Sequence, residues 1–127
     1  MKYMLLTYVD EKAWSNLTEE EKKREMALCE PRVLSLMASG KLLSGAPLQP
    51  SSTATTLRLK DGKRLMTDGP FAETREQLGG YSILEAENLD EALSIASSFL
   101  FSESKVPTTI EVRPLVELPD PPKPKAQ

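Results

Sequence analysis

Two separate helix-start signals, each bracketed by strand-like segments, constrain the fold of this chain more than any other feature. Thr18 can cap a first turn while Glu21, three residues on, reaches back to the cap's own N–H. Glu19, Glu20 and Glu21 also suit the positive end of a helix dipole. Asn88 followed by Glu91 repeats the signal further along. After Thr18 the apolar residues Met26, Cys29, Val33, Leu36 and Met37 recur three and four apart, which predicts one buried face. After Asn88 the stripe is Leu89, Ala92, Leu93, Ala96, Phe99 and Leu100. Gly40 supplies the left-handed residue that ends the first helix. Pro31 falls in its middle, removes one backbone bond at a typical cost of ~3 kcal/mol, and predicts a kink or break there.

The segments around these helices read as strands. Lys2–Val9 alternates in part and is rich in Tyr, Leu and Val; Lys41–Ala46, Gly79–Ala86 and Thr108–Val116 complete the set. Asp10–Asn16 reads as a loop anchored by Trp14, and 47–54 as a Pro/Ser/Thr loop. A hairpin, Thr55–Leu59 with Arg64–Thr67, turns at Asp61-Gly62, a pair that supplies the positive φ angles of a tight turn. The order is β-α-β, hairpin, β-α-β. It places both helices on one face of an antiparallel sheet, the ferredoxin-like α+β arrangement, in a single domain over residues 1–117. The other face is bare, yet apolar or aromatic residues alternate onto both sides: Met4, Leu6 and Tyr8 against Tyr3, Leu5 and Val9, and Tyr81 and Ile83 against Leu84 and Ala86. A monomer would leave that apolar layer in water, so a homodimer with two sheets face to face is expected.

With 127 residues there is room for one core. A net charge of -3 without a block of Lys or Arg predicts no direct nucleic-acid binding. The uncharged N-terminal run Tyr3–Val9 is too short for a membrane span or a signal peptide, and the single Cys29 suits a reducing compartment. No membrane association and a cytoplasmic location are expected. The chain has no histidine, which removes the usual base of a nucleophile triad and the usual ligand of zinc, copper and non-haem iron. With no Gly-rich phosphate loop either, no cofactor and no metal are expected. Proton transfer would fall to a carboxylate, tyrosine, lysine or cysteine with a displaced pKa. From Leu118 to Gln127 the chain is Pro-rich and is expected to be extended and mobile.

The stretch from Asp68 to Tyr81 concentrates charge, an amide and two aromatics between two strands, where binding and chemistry tend to sit. Pro70 has no N–H, so Asp68 cannot close the usual turn onto it; capping Phe71 and facing a cleft as a general base both stay open. Asp68 is the catalytic candidate. Arg75 has the planar fork to hold a carboxylate or phosphate, and Glu73, Gln77, Tyr81 and Tyr8 complete a ligand-binding set. Solvated charge is the plainer reading of Glu76 and Arg75. Gly79-Gly80 marks a bulge or a close approach of backbone. Phe71 is expected to anchor the loop in the core, and Cys29 to be a small core residue.

Tyr3-Met4-Leu5-Leu6, Gly45-Ala46-Pro47-Leu48, Thr67 through Tyr81 with its Asp-Gly-Pro-Phe core, and Leu89-Asp90-Glu91-Ala92 together resemble the DGPF-type YCII-related proteins over residues 2–116. The resemblance implies the dimeric α/β-barrel superfamily, with clefts between helix and sheet. It also implies a connection to sigma factors. Members of the wider family carry a histidine and an aspartate as a proposed catalytic pair; here Cys29 lies near the histidine's place, so that pair does not carry over.

Two functions follow as expectations. One is a homodimeric module that binds a small molecule, linked to sigma-factor-dependent transcription. The other is a cofactor-free enzyme that uses Asp68 for acid/base chemistry on a small polar or anionic substrate.

Overall fold

Alternation along Lys2–Val9 makes this segment the spine of the sheet. In the computed structural model, which describes residues 1–124, it forms β1 (Lys2–Val9). The remaining elements are α1 (Glu11–Ser15), α2 (Glu19–Ala38), β2 (Leu42–Pro47), β3 (Thr55–Lys60), β4 (Lys63–Asp68), β5 (Gln77–Glu85), α3 (Leu89–Ser97) and β6 (Thr108–Pro114). Four strands pair antiparallel in the order β2-β5-β1-β6. This is the ferredoxin-like α+β arrangement. Of the Pro-rich segment, 118–124 carry no helix or strand, and 125–127 lie outside the described residues.

Register decides which side chains meet the helices. Leu5 stands opposite Ser82 and Val112, and Tyr3 opposite Leu84 and Pro114, so these residues share one face. Leu5, Leu84, Leu36 of α2 and Ile95 and Ala96 of α3 form the main buried cluster, with Tyr3, Ala86 and Ala92 beside it. Both helices therefore cover the same side.

Both helix starts carry the caps read from the sequence. Thr18 accepts the Glu21 N–H while Glu21 accepts the Thr18 N–H, and Asn88 accepts the Glu91 N–H. Gly40 (φ 75) donates to the Met37 carbonyl and Lys41 to that of Leu36, a two-bond left-handed stop.

Several local expectations are corrected. Asp10–Asn16 is not a loop: Asp10 caps Ala13 and starts α1, a helix too short for apolar periodicity to reveal. Pro31 does not break α2, which runs unbroken from Glu19 to Ala38. The Ala27 carbonyl that loses its donor belongs to an exposed turn, where water can replace the missing partner. The buried face of α3 is Ala92, Ile95 and Ala96 rather than the stripe through Leu89 and Leu93, and Phe99 and Leu100 follow the helix end. Strand β5 begins at Gln77, two residues early. Phe71 does not anchor anything in the core: it is 77% exposed.

The Asp61-Gly62 turn has φ values of 51 and 76, as the tight hairpin requires. Strands β3 and β4 form a sheet of their own and make no substantial packing contact with another element. Their residues are nearly all exposed, and together they form an arm.

Candidate functional site

The apolar stripe of α2 is only partly buried. Leu36 enters the core, whereas Cys29 and Val33 are half-buried and Met26 and Met37 are 64% and 57% exposed. Beneath them lies an open groove of about 880 Å3 between α2 and the helix-facing side of the sheet. Met26, Cys29, Val33 and Met37 form its wall; Leu5, Thr7 and Val9 of β1 and Ile110 of β6 form its floor; Trp14, Phe99 and Phe101 line it from flanking segments. Its few polar groups include Thr7, Ser82, Ser104 and Thr108.

Polar ties hold α2 above this space. The Glu25 carboxylate accepts the Ser104 hydroxyl at 2.7 Å and the Lys105 N–H at 2.6 Å. Lys105 also pairs with Glu21, and together with the Thr18 N–H this holds the Glu21 carboxyl down at about 2. Further along, Arg32 Nε donates to Ser98 Oγ at 2.7 Å. The helix is thus fastened through its N-terminal half, its middle and its Leu36 end, with the groove left open between. On the floor, Gly80 permits a close approach: a Cβ there would sit 3.1 Å from the Ala46 carbonyl oxygen, so a side chain would push β2 away from β5.

Cys29 faces this space without nucleophilic character. Burial pushes its thiol pKa up, and the neighbouring Glu25 charge adds to the shift, so it stays protonated at neutral pH.

The residues singled out from the sequence lie elsewhere, with one exception. Asp68 ends β4, exposed and with no side-chain hydrogen-bond partner among the described residues, so it does not cap Phe71. Glu73 and Arg75 are exposed in the following loop. The Gln77 amide donates to the Thr74 carbonyl, a local tie. Tyr8 donates to Glu111 Oε1 at 3.4 Å on the bare sheet face. Only Tyr81 borders the groove, through β5, although alternation carries its side chain toward the bare face opposite Leu6 and Ala46. Gly79 occupies a bulge between Thr7 and Tyr8, where an added Cβ would meet Val9 at 2.8 Å. Among the described residues, no three or more Cys, Asp or Glu side chains are grouped to hold a metal ion, and no helix is long and apolar enough to cross a membrane.

The model of the YCII-related domain matches residues 1–118. The chain belongs to the YCII-related family. An uncharacterized protein of Rhizobium meliloti (strain 1021) is 39% identical over 115 residues, covering 91% of this chain and 92% of its own length. Neither likeness names a reaction.

For this family member, the resemblance implied a cleft between helix and sheet, but the residues that line it were the feature that the sequence did not point to. Its wall was visible as a helical stripe, but such a stripe ordinarily signals core packing. The usable hint was the stripe's composition: two methionines and a cysteine at positions where a tightly packed helix would carry Leu or Ile.

Proposed function

We propose that this YCII-related chain is a homodimeric module that binds a small, mainly apolar molecule in the groove beneath α2. The observation that carries the reading is an open space of about 880 Å3 walled by Met26, Cys29, Val33 and Met37, with few polar groups along it. That size falls within the range of small-molecule sites, which are mostly apolar with a few orienting polar groups. Thr7, Ser82 and Thr108 would serve as those groups. Of the two acidic residues at the groove, Glu25 is engaged by Ser104 and Lys105, and Glu30 is exposed. The arrangement therefore favours binding over carboxylate catalysis, and the Asp68 enzyme reading lacks comparable support.

The dimer rests on the opposite side of the sheet. Met4, Leu6 and Tyr8 of β1 lie beside Ile83, Tyr81 and Leu78 of β5, a partly exposed apolar layer on the side of the sheet away from the core that the helices form among the described residues. A second copy turned face to face removes it from water. The sigma-factor connection implied by the family resemblance adds a regulatory partner to this reading; titrating a purified sigma factor into the protein tests it.

Trp14 is the single tryptophan and lines the groove, so it reports occupancy directly. Titration with the neutral probe N-phenyl-1-naphthylamine should give saturable energy transfer from Trp14. Val33→Glu places a charge on the apolar wall and should weaken probe binding at least tenfold while circular dichroism stays unchanged. Equal binding by a folded Val33→Glu variant would refute the assignment.

A further inference from the structure

The arm formed by β3 and β4 is the part of the molecule that its own chain leaves unexplained. An isolated two-stranded hairpin is marginal in water, and among the described residues this one makes no substantial packing contact with another element. Its pairing sets Leu57 directly opposite Met66, and alternation puts Leu59 on the same face. These three side chains are 69%, 73% and 71% exposed. Such an exposed apolar face needs a surface to cover it.

We infer that the β3–β4 arm of each chain packs its Leu57–Leu59–Met66 face against the body of a second copy, beside the shared sheet-to-sheet contact. The inference rests on the homodimer reading above and extends it. Charge favours a second copy as the occupant. The arm carries Arg58, Lys60, Lys63 and Arg64 against Asp61 and Asp68, a net of +2. With -3 for the whole chain, the remainder carries -5, so arm and body of two copies attract.

Area points the same way. Four strands spaced ~4.8 Å apart, with about six paired residues at ~3.4 Å each, offer a flat footprint of roughly 400 Å2 per copy. A stable pair usually buries about 800 Å2 per partner. One face of a two-stranded arm adds roughly 200 Å2, and the surface beneath the partner's arm about as much again. Sheet face and arm together reach the usual size, and the sheet face alone does not.

The test combines sedimentation with limited trypsin digestion, since Arg58, Lys60, Lys63 and Arg64 place four cleavage points in the arm. Wild-type protein should be resistant at these points when concentrated and become nicked there on dilution below the dimer dissociation constant. Leu57→Ser/Leu59→Ser/Met66→Ser should weaken the dimer at least tenfold with the body's circular dichroism retained. Lys60→Glu/Lys63→Glu lies on the opposite face of the hairpin and keeps the apolar one; it should weaken the dimer at low salt, with the difference shrinking as salt rises. A wild type that sediments as a monomer at every concentration overturns the dimer reading and this one with it. A stable wild-type dimer whose arm is nicked equally at all concentrations, with both variants pairing as tightly as wild type, overturns the arm assignment alone and leaves the arm open to a different protein.

Discussion

Leu6→Ala is the sharpest probe of the bare sheet face. Leu6 lies on β1 between Tyr81 of β5 and Glu111 of β6, mostly buried in the single chain. The substitution removes three carbons, worth about 0.8 kcal/mol each when fully buried. About three-quarters of that burial already exists in the monomer, so closing the interface adds roughly 0.6 kcal/mol per copy. A symmetric pair counts the change twice. The dimer should therefore lose about 1.2 kcal/mol, or about 8-fold in dissociation constant. A dilution series in the analytical ultracentrifuge measures this directly. Thr109→Ala, on the same face but exposed along β6, is the control and should change little. If Leu6→Ala shifts the dissociation constant less than threefold while the fold is kept, the bare face is not the interface.

Other substitutions probe the core, the groove and the ties that hold α2. Leu84 is 0% exposed at the centre of the buried cluster, so Leu84→Ala should cost about 2–5 kcal/mol in urea unfolding. A loss under 1 kcal/mol would contradict the packing described. Cys29 should react slowly with N-ethylmaleimide at pH 7, because its thiol pKa is raised, and more slowly still when the groove probe is bound. No protection by the probe would place the ligand elsewhere. Glu21 is depressed from 4.5 to about 2 by Lys105 first and the Thr18 N–H second, so its stabilisation is present above about 4.5 and lost as pH falls toward 2. Glu21→Gln should lower stability at pH 7 and flatten the decline between those pH values in acid-unfolding curves.

Much of the architecture was legible because short-range chemistry announced it. Thr18 with Glu21, Asn88 with Glu91, Gly40 and Asp61-Gly62 each specify one local geometry, and each adopts it. The alternation of β1 and β5 also divided their side chains into the two sets that the sheet shows, but only the packing of the helices decides which set is covered. Misreadings arose where a residue's environment depends on distant partners. Phe71 looks like an anchor from its size, yet the loop carrying it follows an arm that makes no substantial packing contact with another element among the described residues. Ile95 was passed over because its neighbours Leu93 and Leu89 are as apolar, and only the position of the sheet decides which of them turns inward. The lining of the groove was hidden for the same reason, although the resemblance implied a cleft between helix and sheet. Glu25, Ser104, Arg32 and Ser98 are unremarkable in sequence, and their hydrogen bonds across 66 and 79 positions are what hold α2 off the floor.

Strands β1 and β5 serve both candidate surfaces at once, which bears on whether the two communicate. Leu5 and Thr7 face the groove while Leu6 and Tyr8 face the bare side, and Ser82 and Tyr81 divide in the same way. A ligand beneath α2 is separated from a partner's sheet by one full layer of backbone. Neither the arm nor the segment from Asp68 to Phe71 lines the groove of its own chain. Binding and pairing should then carry little coupling free energy, and by linkage neither should alter the other's affinity. The measured affinity for N-phenyl-1-naphthylamine should agree within about twofold at protein concentrations above and below the dimer dissociation constant, since a twofold change is only ~0.4 kcal/mol. A tenfold dependence would mean that the second copy completes the groove, and the arm would be the first element to examine as the contributor.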